Sequence, residues 1–260
     1  MIQTLLSLLF SRLPRTRTSI LVMTAWYSRY PPRLINSPNA IELSTIIDIY
    51  LRHLTMTPID RLFNTFDACK HVFLQGTPGA FAECGVWRGG HAILAKRLFH
   101  LWGDSRDVYL YDTYSGMTTP SHDDVEHLTN VSALSLFRTN WLSCSLEEVQ
   151  KGFLETQTPL DNVHFIEGDL CATLLVSSNL PTQISVLRLD TDWYASTRAG
   201  IRTLYPLVVT GGLLIVDDYG HWQGARKAID EYFLDVPKPH FHYIDYTCIV
   251  GSKQSTQIVP

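Results

Sequence analysis

From Ala80 onward the chain alternates two periodicities, and this alternation constrains the fold more than any other feature of the sequence. Short apolar runs at 80–84, 107–111, 163–166, 184–189 and 213–216 are bounded by Gly, Asp or Pro and read as strands. Between them, residues 91–102, 145–155, 196–204 and 223–233 read as helices, the second opening on the capping box Ser145-Leu146-Glu147-Glu148. Strand and helix in alternation predict a parallel, doubly wound α/β sheet, because a return to a parallel neighbour needs a crossover. The chain end departs from the pattern: 241–245 and 247–251 are β-rich with almost nothing between them, which predicts a closing antiparallel hairpin. Upstream, 41–54 and 58–74 predict two covering helices. Residues 117–133, with Pro120 and three acids, read as a long loop.

A chain of 260 residues with 45% hydrophobic and 18% charged residues can bury a full core, which excludes disorder and a miniature scaffold. Its net charge of −4 argues against a broad basic surface for nucleic acid. That charge is unevenly placed. Residues 1–40 hold Arg12, Arg15, Arg17, Arg29 and Arg33 and no acid, whereas the remainder carries 16 basic against 25 acidic residues. Residues 1–40 therefore read as a basic, apolar arm and 41–260 as one α/β domain with a helical cover. The apolar runs at 2–10 and 19–27 fall short of the roughly 20 residues that span a bilayer, and neither has the flanks of a signal peptide. The arm is expected to pack as a helix on the body or on a second copy in a homo-oligomer; an interfacial membrane contact through its arginines and Trp26 is the alternative. Cys69, Cys84, Cys144, Cys171 and Cys248 show no metal spacing and read as free thiols in a reducing, cytoplasmic setting.

In an open α/β sheet ligands gather outside the carboxyl ends of the strands, so the residues that end each strand carry the chemistry. The first run continues as Glu83-Cys84-Gly85-Val86-Trp87-Arg88-Gly89-Gly90, a strand passing through a glycine turn into a helix. Such a turn presents helix N-terminal amides to a ligand, or needs its glycines for geometry alone. It lacks G-x-G-x-x-G, which counts against a nicotinamide oxidoreductase. The second run leads to Asp112, placed where nucleotide-binding folds hold ribose hydroxyls, with helix capping as the plain alternative. Gly168 and Asp169 follow the third, where an acid accepts from an exocyclic amine. The fourth and fifth lead to Asp190-Thr191-Asp192 and Asp217-Asp218-Tyr219-Gly220. Adjacent parallel strands bring Asp190, Asp217 and Asp218 together, and three carboxylates at one mouth repel unless a cation sits between them. The set is hard and all-oxygen, which suits magnesium or a similar ion. Capping of the helices near Ser196 and Gln223 is the bland alternative for such acids, and Asp192 is assigned to it.

These segments together resemble the macrocin O-methyltransferase family, sugar-modifying enzymes that use S-adenosylmethionine and magnesium. The resemblance rests on the Glu83 to Gly90 turn, Tyr111-Asp112-Thr113-Tyr114-Ser115-Gly116-Met117, Leu187-Arg188-Leu189-Asp190-Thr191-Asp192-Trp193-Tyr194-Ala195-Ser196-Thr197 and Val216-Asp217-Asp218-Tyr219-Gly220, in that order. It covers about residue 55 to the C-terminus and implies a class I methyltransferase, Rossmann-like fold of seven strands, the last antiparallel. By the same resemblance Glu83, Cys84, Gly85, Val86, Trp87 and Gly89 would hold the methionine part of the cofactor, Asp112 the ribose, and Gly168 with Asp169 the adenine. Met56 and Thr57 resemble a segment that closes over the cofactor, and Asp190, Asp217 and Asp218 would take the metal. Ser115 stands where family members often carry Glu, and Thr191 where Gly is usual, so the acceptor stays open among glycosides, antibiotics and polysaccharide precursors.

Methyl transfer from a sulfonium needs an aligned acceptor oxygen, and a sugar hydroxyl needs its proton removed. Asp190 is the expected base at the metal's edge, with His221 as the competitor. A catechol-type metal-dependent O-methyltransferase and a cofactor-binding scaffold without catalysis are the alternative functions.

Overall fold

Strands β1 (Ala80–Cys84) and β4 (Ile184–Leu189) are buried at every residue, as strands covered on both faces must be. They lie at the centre of a seven-stranded sheet of order β3-β2-β1-β4-β5-β7-β6, which also contains β2 (Val108–Asp112), β3 (Val163–Glu167), β5 (Val208–Val216), β6 (His242–Tyr243) and β7 (Ile249–Ser252). The first five are parallel; β7 runs antiparallel to β5, and β6 antiparallel to β7. This is the doubly wound α/β sheet with its closing hairpin that the sequence predicts. The strand order reverses between β1 and β4, so the crevice for a ligand opens beyond their carboxyl ends.

The computed structural model describes residues 15–29 and 35–255. One face of the sheet is covered by α1 (Arg17–Arg29), α2 (Ala40–Leu51), α3 (Ile59–Leu74) and α4 (Gly90–Leu101), whose Ile46, Phe63, Phe66 and Phe99 pack with Phe81 and Val186. Following α4 come the short α5 (Ala133–Leu136), then α6 (Leu146–Glu155) and the short α7 (Leu170–Thr173). The opposite face is covered by α8 (Tyr194–Leu204) and α9 (Gln223–Tyr232), with Ile201, Leu204 and Ile229 on Leu187 and Leu214.

The described part of the arm packs on the body. Met23 and Tyr27 of α1 are buried, Tyr27 lying 5.0 Å from the Phe63 ring. Asp48 on α2 then receives Arg15 at 2.7 Å, Arg97 at 3.0 Å and Arg52 at 3.1 Å, so one carboxylate ties the arm to α2 and α4. Burial pushes that carboxyl up, but the hydrogen bonds from Arg15 and Arg97 outweigh it and hold its pKa below the usual range. The apolar run at 2–10 and the Pro-rich segment at 30–33 lie outside the described residues. No helix among those described is long and apolar enough to cross a membrane. Cys69, Cys84, Cys144 and Cys248 are buried free thiols and Cys171 is an exposed one.

Two boundaries differ from expectation for physical reasons. Strand β5 begins five residues before Leu213, because Gly211 at φ +81° absorbs an irregularity in the β4–β5 register and lets the strand continue. Helix α8 begins at Tyr194 rather than Ser196, because its first amide is capped from far away: Tyr194 N donates to Asp124 Oδ1 at 2.7 Å. Asp124 is fully buried, and its Oδ2 accepts from Ser121 N and Oγ at 2.6 and 2.8 Å. The 117–133 loop is therefore pinned, with further bridges Val125–Ser132 and Glu126–Trp222. Asp192, expected to cap α8, does not; Trp193 occupies the cap position and the acid faces the crevice.

Replacing Asp124 with Ala is expected to cost about 3 kcal/mol of unfolding free energy by urea titration, since buried donors lose a charged acceptor. The exposed cap change Ser145→Ala is expected to cost about 1 kcal/mol. Equal losses in the two variants would show that Asp124 is not an anchor.

Candidate functional site

The turn after β1 is built around one position that no side chain fits. Gly85 has φ +84°, and a Cβ there would lie 1.8 Å from the Asp190 carbonyl oxygen. This close approach extends the sheet past its formal end: Gly85 N donates to Tyr111 O at 2.9 Å, Asp190 N to Cys84 O at 2.8 Å and Asp217 N to Leu189 O at 2.9 Å. The acids that follow β1, β2, β4 and β5 are thereby fixed in one row at the carboxyl edge.

Above that edge is a cleft lined by Met56, Gly85, Trp87, Asp112, Gly168, Asp169 and Asp190, all named from the sequence, together with Met117, Thr118, Leu142, Thr191, Asp192 and Trp193. Asp112 does not cap a helix. Its Oδ2 accepts from the Val86 and Trp87 amides at 2.6 and 3.0 Å, and its Oδ1 from Tyr114 N at 2.9 Å, so the carboxylate shapes the glycine turn while facing the cleft. Asp169 sits on the rim and accepts from Cys171 N at 2.9 Å. Gly168 N continues the β2–β3 ladder to Asp112 O at 2.9 Å.

The other sequence-derived residues lie behind this lining. Cys84 and Val86 are buried, and Gly89 takes the left-handed conformation at the N-cap of α4. Thr57 bonds His91 Nε2 at 3.0 Å, while the same imidazole bonds Thr65 through Nδ1 at 2.8 Å. Burial, with Arg188 and Arg61 nearby, pushes His91 well below its ordinary range, so it is a neutral ring inside the fold. Glu83 is 1% exposed and bonded to Arg188, and its Oε2 has no hydrogen-bond partner among the described residues. Burial raises its pKa to about 8.

Asp190, Asp217 and Asp218 converge as expected, with one oxygen from each within 4.8 Å of the others. A residue given no role from the sequence lies among them. Arg188 is buried in β4, and its guanidinium reaches Glu83 at 2.9 Å, Asp190 at 2.7 Å and Asp217 at 2.6 Å. Arg61 of α3 bonds the other oxygen of Asp217 and reaches Asp245 at 2.7 Å. The signal for Arg188 was present in Leu187-Arg188-Leu189: a charge inside a fully buried strand must be paired there. Arg61 had no such signal, because its partner is 156 residues away.

Two guanidiniums leave the cluster strongly acidic. Glu83, Asp190, Asp192, Asp217, Asp218 and Asp245 surround them, and the carboxyls respond to one another. Burial first, then Arg188 and Asp190, set Asp217 at about 6; burial and Asp190 raise Asp192 to about 7 despite its 2.8 Å bond from Trp222 Nε1; burial and the neighbouring acids push Asp218 well up. A surplus of clustered carboxylate oxygens suits a hard divalent cation, so the donor set fits one held by Asp190, Asp217 and Asp218. His221 stands outside the cleft lining, partly buried, 3.2 Å from the Tyr246 hydroxyl, with burial lowering its pKa.

A wall of aromatic rings closes the far side. Trp193 lies 5.0 Å from Trp222 and 6.2 Å from Trp141, and its Nε1 donates to Thr118 O at 2.8 Å. Met117 packs on this cluster, which joins the pinned loop to α8 and α9.

Comparison with known proteins identifies the family and the fold. The family model of macrocin-O-methyltransferase (TylF) matches residues 35–251. The chain is 35% identical over 181 residues to demethyldecarbamoylnovobiocin O-methyltransferase of Streptomyces niveus, covering 68% of this chain and 67% of that one. It is 32% identical over 180 residues, 68% of this chain and 67% of the relative, to 8-demethyl-8-(2,3-dimethoxy-alpha-L-rhamnosyl)-tetracenomycin-C 4'-O-methyltransferase of Streptomyces olivaceus. Among solved structures, the O-methyltransferase NovP superposes with a TM-score of 0.70 at 27% identity, covering 96% of this chain and 99% of that one. Calicheamicin methyltransferase CalS11 shares the fold, with a TM-score of 0.61 at 16% identity over 92% and 94% of the two chains. The chain belongs to the macrocin-O-methyltransferase family, whose members are S-adenosylmethionine-dependent O-methyltransferases.

Proposed function

We propose that this chain methylates a sugar hydroxyl of a glycoside, with Asp190, Asp217 and Asp218 holding a divalent cation such as magnesium and Asp190 serving as base. The observation that carries this reading is the carboxylate row beside a glycine turn and Asp112, all at the edge of one cleft. The relatives' names support the acceptor class, since one names a rhamnosyl-tetracenomycin acceptor and the others name novobiocin and mycinamicin derivatives.

When bound, S-adenosylmethionine supplies the methyl group and the cation lowers the pKa of the acceptor hydroxyl. The protein's own residues do the rest. Asp112 holds the Val86 and Trp87 amides in place and would hold the ribose, and Gly168 with Asp169 at the rim would hold the adenine. Met56 borders the cleft from the helical cover. Arg188 grips Asp190 Oδ2 at 2.7 Å, which orients that carboxylate toward the acceptor. In the transfer the Asp190 carboxylate would take the hydroxyl proton as the acceptor oxygen takes the methyl group that S-adenosylmethionine supplies, leaving S-adenosylhomocysteine as the neutral thioether product. Charge disappears in this step, so alignment supplies most of the rate. Met117, packed on the buried Trp193, and Leu142 give the cleft an apolar side suited to the C–H face of a sugar.

In calorimetric titration with S-adenosylhomocysteine, the wild type is expected to bind and NAD to give no heat. Asp112→Ala is expected to weaken that binding at least about tenfold, and Asp217→Asn to weaken it far less, because the two acids serve different ligands. Equal losses would undo the division of roles. Asp217→Asn should abolish methyl transfer while the fold survives, as should chelation of the wild type; full activity of either without added metal refutes the metal assignment.

An acceptor panel separates the remaining functions. Turnover of deoxysugar glycosides with none of catechols is expected. The reverse pattern would assign a catechol-type enzyme, and cofactor binding with no turnover of any acceptor would favour a scaffold.

A further inference from the structure

Both carboxylate oxygens of Asp217 are already taken. Arg188 Nη2 donates to Oδ1 at 2.6 Å, and Arg61 Nη1 donates to Oδ2. The two guanidiniums are not equivalent. Arg188 is 1% exposed and is held from three strand ends at once by Glu83, Asp190 and Asp217, so it has no second position to move to. Arg61 is 10% exposed, stands in the first turn of α3, and has an alternative partner: its Nε donates to Asp245 Oδ2 at 2.7 Å, in the turn between β6 and β7.

We infer that Arg61 acts as an internal cation that occupies Asp217 in place of a divalent ion and yields to that ion by withdrawing onto Asp245. The inference rests on the metal reading proposed above. A divalent ion bound by Asp190, Asp217 and Asp218 needs an oxygen from Asp217, and the Arg61 guanidinium on that carboxylate competes for its lone pairs and repels the ion. Without any cation the cluster would set Asp190, Asp192, Asp217 and Asp218 against one another; Arg61 relieves this until metal arrives.

Asp245 is built to receive the guanidinium. Its Oδ1 is fixed by the Thr247 and Cys248 amides at 2.9 and 2.8 Å, which leaves Oδ2 aimed at Arg61. Arg61 also follows Met56 by five residues through the start of α3, so its displacement links metal occupancy to the segment that borders the cofactor cleft. Arg61 is thus a positioning residue: it reports and tunes metal occupancy without touching the reacting atoms.

The test is calorimetric titration of Mn²⁺ into the full chain, comparing wild type, Arg61→Gln and Asp245→Asn, with thermal unfolding confirming that each is folded. Arg61→Gln is expected to bind Mn²⁺ about tenfold more tightly, the effect of removing one competing charge. Asp245→Asn is expected to bind several-fold more weakly, because Arg61 then has only Asp217 to pair with. A brace that merely orients Asp217 predicts the opposite sign for Arg61→Gln, so weaker or unchanged Mn²⁺ binding in that variant overturns the inference. If Arg61→Gln fails to fold, Asp245→Asn decides: unchanged or tighter binding overturns the inference too. Mn²⁺ binding by none of the three proteins overturns the metal reading itself, and this inference with it.

Discussion

A single buried guanidinium holds the working end of this protein together. Arg188 connects Glu83 within β1, Asp190 after β4 and Asp217 after β5, three neighbouring strands at the centre of the sheet. Each of those carboxylates would carry a large desolvation cost alone, and removing the common partner of a buried ion pair costs about 3–5 kcal/mol. The row of acids can exist at the strand ends because the cation that offsets it is part of the strand. Its position also gives the acids different surroundings. Glu83 is enclosed, Asp217 is shared with Arg61, and Asp190 keeps 27% of its side chain exposed toward the cleft.

The cleft depends on a second constraint, the approach of two backbones at Gly85. Because nothing stands between that residue and the Asp190 carbonyl, the β1 turn and the acids after β4 share one edge. Asp112 then stiffens the turn from the opposite side through the Val86 and Trp87 amides. The cleft and the carboxylate cluster are therefore adjacent by construction, which is the arrangement the proposed in-line transfer between two bound groups needs.

Much of this was legible in the sequence, for identifiable reasons. Strand ends are marked by a local change from apolar residues to Gly or Asp, so β1 to β5, the glycine turn and the convergence of Asp190, Asp217 and Asp218 could be read from residues close together in the chain. What escaped was whatever depends on distant partners. Asp192 looked like a cap because it precedes a helix, yet the cap comes from Asp124, 70 residues earlier. Val208 to Gly212 looked like a break because two glycines interrupt it, whereas the glycines let the strand bend and go on. Arg61 carried no local signal within the helix read at 58–74, and only the folded chain brings it to Asp217.

The pinned loop has a consequence for how such a protein diversifies. Asp124 and Trp193 fasten the 117–133 segment to the start of α8, which holds the aromatic wall beside the carboxylate row. Beyond that fastening, the tip carries exposed Leu128 and Val131 and has no part in holding the acids. Insertions or replacements at that tip can change the surface beside Trp222 while the Asp124 anchor and the buried charges at the strand ends keep their places.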